Sequence, residues 1–321
     1  CPTHSPGSRF RQPHSPRSSK KPHTVTPSRS MRLGVIGGSS LLSLEVSAFT
    51  DIGLKQFSKE DVVVDTPFGH VRLTIIVLEG APCFPMMDRG LQHTIIFLPR
   101  QQGGKEPPHS TNQLANIRAL ADMKVDAIVA TTSVGTLVTS FPPGRVGIAQ
   151  QYIDFSGVAV TFHDKEAKFT SLTEPFDEEL NRQLAATLRR VQSLDKNVRL
   201  GFAYWLSTGP QYETAAEVNA IDRLGGEVCG FTMPREAKLC AELGIPYAAL
   251  LVATNWAAGR HPGDNSKDLS HQEFAECAAQ RVGVLVACLV DLLKKAIRKE
   301  EGPPRVVATV PSPPKRQRVD A

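Results

Sequence analysis

Four short stretches of the chain combine glycines, hydroxyls, an arginine and a carboxylate in ways that suit a bound oxyanion and its partner molecule. Val35-Ile36-Gly37-Gly38-Ser39-Ser40 runs from an apolar strand into a glycine turn and then a hydroxyl pair. Glycines let the backbone approach a ligand closely, and the N–H groups exposed there suit an anion. The stretch fits neither G-x-G-x-x-G nor the Walker pattern, so a dinucleotide or NTP site is poorly supported. A second apolar run, Ala127 to Thr131, ends in Thr132-Ser133-Val134-Gly135-Thr136. Small hydroxyl residues at a strand's C-terminal end are where open α/β sheets bind ligands, and a simple turn is the competing reading. Phe97-Leu98-Pro99-Arg100 places an arginine just after a strand, where its planar fork could grip an oxyanion or make a surface salt bridge. In Gly209-Pro210-Gln211-Tyr212-Glu213-Thr214, Glu213 directly precedes a helix cap. Its carboxylate could serve the helix dipole or accept a hydrogen bond from a ligand.

These residues need elements to position them. Leu33–Ile36, Leu73–Leu78, Thr94–Leu98, Ala127–Thr131 and Ala248–Ala253 read as strands. Thr111–Met123, Asp177–Val191, Thr214–Leu224 and Ser270–Arg298 read as helices. Thr214-x-x-Glu217 and Ser270-x-x-Glu273 have the capping-box pattern. The last helix keeps Phe274, Ala278, Val282, Leu285, Leu289 and Leu293 on one stripe and ends in Lys294, Lys295 and Arg298. Alternating strands and helices imply an α/β fold: one domain over residues 31–301, with a mixed, mostly parallel central sheet flanked by helices.

The ends differ in character. Residues 1–30 carry six basic residues and no acid, and residues 302–321 are Pro-rich and carry a net +3. The formal charge of +5 therefore leaves −4 for residues 31–301, which argues against a nucleic-acid-binding core. Both ends are expected to be disordered. The acid-free start resembles an organelle transit segment or a plain extension, and Lys315-Arg316-Gln317-Arg318 a nuclear-import signal or a solvated tail. Six cysteines without CxxC or Cys/His metal spacing read as reduced thiols, so a cytoplasmic location and no metal are expected. The best apolar run, Val282 to Leu293, is short and carries Asp291, so no membrane span is expected.

Taken in order, Gly37-Gly38-Ser39, Pro99-Arg100, Pro107-Pro108-His109, Asn112-x-x-Ala115-Asn116, Thr132-Ser133-x-Gly135, Gly209-Pro210-x-Tyr212-Glu213-Thr214, Gly230-Phe231-Thr232 and Asn255-Trp256-Ala257-Ala258-Gly259 resemble the trimeric purine nucleoside phosphorylase and methylthioadenosine phosphorylase family. The resemblance covers residues 31–298 and is strongest to the methylthioinosine phosphorylase branch. It implies a homotrimer that needs no cofactor beyond inorganic phosphate as co-substrate. It implies that Ser39, Arg100, Gln101, Thr132, Ser133 and Thr232 hold phosphate, and that Phe231 lies beneath the sugar. Tyr212, Glu213 and Asn255 would surround the base, His271 would face the 5′ position, and Arg100 and Asn255 would carry the catalysis. Family members acting on 6-aminopurines have Asp where this chain has Asn255. Glu213 suits the N1–H of a 6-oxopurine, so inosine, guanosine or 5′-methylthioinosine is the expected substrate class. Three departures stand out. The family's Arg-His pair is Arg100-Gln101 here, its Pro-Glu after the Gly-Met-Thr stretch is rearranged to Met233-Pro234-Arg235-Glu236, and its Met is Phe231. Gln101 supports an alternative, a catalytically weak purine-binding relative with a regulatory or interaction role.

Overall fold

The computed structural model describes residues 30–44, 49, 54–80, 92–102 and 106–296. The expected basic extension up to residue 29, the tail beyond 301 and the end of the last predicted helix at Arg298 lie outside them. The strands are β1 (Arg32–Gly37), β2 (Leu54–Thr66), β3 (Gly69–Gly80), β4 (Gln92–Pro99), β5 (Ala127–Thr136), β6 (Val146–Asp154), β7 (Gly201–Leu206), β8 (Val228–Gly230) and β9 (Tyr247–Trp256). The helices are α1 (Gln113–Asp122), α2 (Glu178–Val191), α3 (Ala215–Arg223), α4 (Met233–Leu243), α5 (His271–Ala279) and α6 (Val282–Ala296).

All nine strands join one mixed sheet, in the order β2-β3-β4-β1-β5-β8-β7-β6-β9. β5 also pairs with β9, so the second half of the sheet closes on itself. The expected α/β fold with a mixed sheet is thus observed. Parallel pairing runs through β4-β1-β5-β9 and β6-β7-β8, whereas the β2-β3 hairpin and the β3–β4, β5–β8 and β6–β9 contacts are antiparallel. Alternation along the central strands splits the core. Leu33, Val35, Ile95, Phe97 and Val129 face α2 and α6, while Ile36, Leu98, Ile128 and Ala130 face α1 and α4.

Two expectations are corrected. The predicted single helix over Ser270–Arg298 is two helices, α5 and α6, broken at Gln280–Arg281. The buried stripe runs through the break, with Ala278, Leu285, Leu289 and Leu293 all fully buried, so periodicity could not reveal it. Arg281 instead packs its guanidinium against Gly144, whose backbone has φ +87°. The second correction concerns β5, which continues through Thr132–Thr136 where a strand end was expected. Thr132 and Ser133 are therefore held on a paired strand opposite Leu251 and Val252. Of the two capping boxes, the one at Thr214 is complete. Ser270 accepts from the Glu273 N–H, but the Glu273 carboxylate reaches Lys267 at 3.4 Å.

His93 at the start of β4 is fully buried beside β1. Its Nδ1 accepts from the Met31 N–H at 3.3 Å and its Nε2 has no partner among the described residues. Burial pushes its pKa below the ordinary 6.5. The unfolded chain therefore binds a proton at that site where the folded one does not, so this stabilisation is full above the unfolded pKa and is lost as pH falls below it. The unfolding free energy should drop between pH values of about 7 and 5.5, by up to ~1.4 kcal/mol per pH unit from this site. His93→Gln should show a flatter slope over that range, and an unchanged slope would remove His93 as the cause.

Candidate active site

The C-terminal ends of β1, β4 and β5 and the start of α4 bring hydroxyls and one guanidinium together. Ser39, in the turn after β1, lies with its Oγ 3.1 Å from Ser133 Oγ on β5. Thr132 Oγ1 lies 3.3 Å from Thr232 Oγ1 at the N-cap of α4. The Thr232 N–H donates to the Tyr204 hydroxyl on β7 at 3.3 Å. Burial pushes the Tyr204 pKa up to about 12, so its proton stays in place at neutral pH.

Arg100 follows β4 and is buried, contrary to a surface salt bridge. Nη1 donates to the Thr131 carbonyl at 2.8 Å. Nη2 donates to Glu236 Oε2 at 3.1 Å and Nε to Glu236 Oε1. Burial works against the guanidinium charge, but the Glu236 carboxylate outweighs it and holds the pKa above its usual range. Three of five N–H groups are thereby engaged, leaving one on each terminal nitrogen for an oxyanion. The Nη1 corner rests on Gly38, where a Cβ would sit 2.6 Å away. That contact explains the second glycine of the β1 turn. Gln101 is half-buried beside Arg100 and its side chain makes no hydrogen bond among the described residues; the next residue, Gln102, accepts from the Arg72 N–H at 2.8 Å.

A second group forms where the β7–α3 connection meets the end of β9 and the start of α5. Glu213 accepts from the Ser207 hydroxyl and lies beside the Cys229 thiol. Burial first, then the Glu213 charge, pushes that thiol's pKa well up, so it stays protonated. Cys229 Sγ and Asn255 Nδ2 both flank Gly135, each 3.2 Å from where its Cβ would stand. The thiol donates to the Gly135 carbonyl at 3.6 Å, so Gly135 lies between Cys229 and the Asn255 amide. Asn255 Oδ1 accepts from Thr254 Oγ1 at 2.9 Å and Nδ2 donates to the Trp256 carbonyl at 2.9 Å, each keeping one further hydrogen-bonding position. Tyr212 packs at a tilt on Phe231, ring centroids 5.9 Å apart, and edge-on to Phe274 at 5.5 Å. Its hydroxyl lies 3.3 Å from Nδ1 of the exposed His271. A cavity of about 200 Å³ opens beside Asn255, lined also by Trp256, His261 and Phe274. It adjoins the amide end of the site and none of the hydroxyl pairs.

The structure therefore gathers Ser39, Arg100, Thr132, Ser133 and Thr232 at one end and Tyr212, Glu213, Phe231, Asn255 and His271 at the other. Gln101 joins neither set of contacts. Sequence reasoning missed Ser207, Cys229, Tyr204 and Tyr247, and met Glu236 only as part of the rearranged Met233-Pro234-Arg235-Glu236 stretch, without a role. Glu236 did carry a signal, since Thr232 and Glu236 are four apart behind Pro234 and so share one face of a helix start.

Residues 32–294 match the model of the phosphorylase superfamily. The chain is 31% identical over 279 residues to a 6-oxopurine nucleoside phosphorylase of Pyrococcus furiosus, covering 83% of this chain and 95% of that protein. It is 32% identical over 234 residues to a probable S-methyl-5′-thioinosine phosphorylase of Thermodesulfovibrio yellowstonii, covering 71% and 79%. Among solved structures it resembles a methylthioadenosine phosphorylase from an antarctic soil metagenomic library, with TM-score 0.64 and 25% identity over 83% of this chain and 88% of that one. A Schistosoma mansoni methylthioadenosine phosphorylase shares the fold at TM-score 0.68 and 22% identity, over 84% and 93%. With its hydroxyl-and-arginine strand ends and a match spanning the whole described sheet, the chain belongs to the phosphorylase superfamily.

Proposed function

We propose that this enzyme catalyses phosphorolysis of a 6-oxopurine nucleoside, releasing the free base and the sugar 1-phosphate. The observation that carries the proposal is that β5 and the adjoining Phe231 and Thr232 place two complementary half-sites side by side. Ser39, Ser133, Thr132, Thr232 and the two spare N–H groups of Arg100 suit an oxyanion. Glu213 and Asn255 offer an acceptor and an amide to a base. Phosphate positioned in this way can attack C1′ through an oxocarbenium-like state, with no enzyme nucleophile. Asn255 can donate its remaining amide N–H to N7 or O6 as negative charge develops on the departing purine. Glu213 can accept from N1–H, which adenine lacks. Phe231 and Tyr212 form an apolar platform for the sugar. Inorganic phosphate is the only co-substrate in this reading, and a homotrimer is the assembly that the family resemblance suggests.

The test is purine release from inosine, guanosine, 5′-methylthioinosine and 5′-methylthioadenosine, each with and without phosphate. Phosphate-dependent release from the three 6-oxopurine nucleosides is expected. Cleavage of methylthioadenosine at a comparable rate defeats the Glu213/Asn255 reading, and release that ignores phosphate defeats phosphorolysis. Silence on all four from folded protein favours purine binding without turnover, with Gln101→His as the variant to restore activity. His271 supplies a polar group for a 5′-hydroxyl but nothing for a methylthio group. His271→Ala should therefore lower kcat/KM for inosine by about tenfold, the scale of one hydrogen bond, and change methylthioinosine by less than about twofold.

A further inference from the structure

Arg100 and Glu236 are 136 residues apart in sequence and are 2% and 1% exposed. A carboxylate so deeply buried is costly unless its lone pairs are satisfied. They are: Nε and Nη2 of Arg100 take both oxygens side by side, and the Tyr247 hydroxyl on β9 donates to Oε2 at 2.7 Å. The paired fork fixes the plane of the guanidinium as well as its place. Glu236 in turn is fixed by its helix. It stands one turn after Thr232, so a single helix start delivers both a hydroxyl to Thr132 and a carboxylate to Arg100. The opposite edge of the guanidinium is stopped by Gly38, the residue before Ser39.

We propose that Glu236, seated by Tyr247, is a positioning residue of the oxyanion site, aiming the two unengaged N–H groups of Arg100 at the strand-end hydroxyls. The proposal rests on Arg100 as a phosphate ligand. The charged or titratable groups around the pair are Tyr204 on β7, Tyr247 on β9 and Cys240 on α4. Burial pushes up the pKa of each, so all three are neutral at working pH and the geometry of Glu236 is what they leave to vary.

Glu236→Asp keeps the charge and shortens the reach by one methylene, and Tyr247→Phe removes only the supporting hydroxyl. Misplacement by about 1 Å can cost up to ~10²-fold in a positioned reaction. In Glu236→Asp the phosphate KM, and the Kd for inorganic phosphate by calorimetry on the full chain, should rise about tenfold, with the nucleoside KM within about twofold. Tyr247→Phe should move the same two constants by about threefold. In an Arg100→Lys background, which has no fork to aim, Glu236→Asp should add nothing further. Unchanged phosphate constants in folded Glu236→Asp, an equal rise for nucleoside and phosphate, or full additivity with Arg100→Lys each overturn the proposal. If Glu236→Asp does not fold, Tyr247→Phe decides: unchanged phosphate constants there overturn it. Calorimetry needs no turnover, so protein that binds phosphate without releasing purine defeats the functional reading alone. An Arg100→Lys variant that binds phosphate normally defeats the ligand assignment and this inference with it.

Discussion

Arg100→Met should remove nearly all phosphate-dependent purine release and should also destabilise the protein. The two losses have separate origins. The activity loss comes from the two spare N–H groups, and removing a preorganised donor to a reacting oxyanion costs about 10²–10³ in rate. The stability loss comes from Glu236, whose buried carboxylate would keep only the Tyr247 hydroxyl and lose its cation. Breaking a buried pair in this way typically costs about 3–5 kcal/mol. Replacing both partners is different, because no charge is then stranded. Arg100→Met with Glu236→Leu should regain most of the stability and none of the activity. Urea denaturation read beside initial rates at saturating phosphate checks both statements. A single variant as stable as wild type would mean that the pair is not closed as described, and a recovered rate in the double variant would take Arg100 out of the chemistry.

The second large effect concerns base choice. Glu213→Gln replaces an acceptor-only carboxylate, held by Ser207, with an amide that can present N–H to the base. A site built on one donor–acceptor match penalises its inverse heavily, because a buried group is left unpaired. The variant should lose about 10²–10³ in kcat/KM for inosine. Asn255→Asp should act in the opposite sense on 6-aminopurine nucleosides, by giving an acceptor to the exocyclic amine. The combined variant should move the inosine-to-adenosine ratio by more than about 10³. Parallel kcat/KM values for the two nucleosides give the answer, and an equal loss on both would show that residues 213 and 255 do not read the base.

What was legible in the sequence follows from the range over which side chains interact. Strands such as Leu33–Ile36 and the Thr214 capping box depend on neighbours a few residues apart, and both are present as expected. The glycine turn, Arg100 and Glu213 were visible because few chemistries combine those residue types. The partners were not visible. Glu236 and Tyr247 complete Arg100 from a helix and a strand far along the chain, and Ser207 and Cys229 complete Glu213 across β7 and β8. β5 outran its predicted end because Thr132 and Ser133 gain ladder partners from β9, information that no local window holds. The break at Gln280–Arg281 was hidden for the converse reason: the apolar stripe that marks a helix survives it.

Apart from the adjoining Phe231 and Thr232, the two half-sites hang on different parts of the chain. The oxyanion end is built from the tips of β1, β4 and β5 and the first turn of α4, while the base end is built from the 207–214 connection, the tip of β9 and the start of α5. Among the described residues, the hydroxyl pairs at the first end share no hydrogen bond with Tyr212, Glu213 or His271. A lineage can therefore accumulate substitutions that change which nucleoside it accepts while the phosphate grip is inherited intact. Divergence in substrate range should be concentrated in the 207–214 connection, the tip of β9 and the start of α5, with the tips of β1, β4 and β5 staying nearly still across descendants of one ancestor.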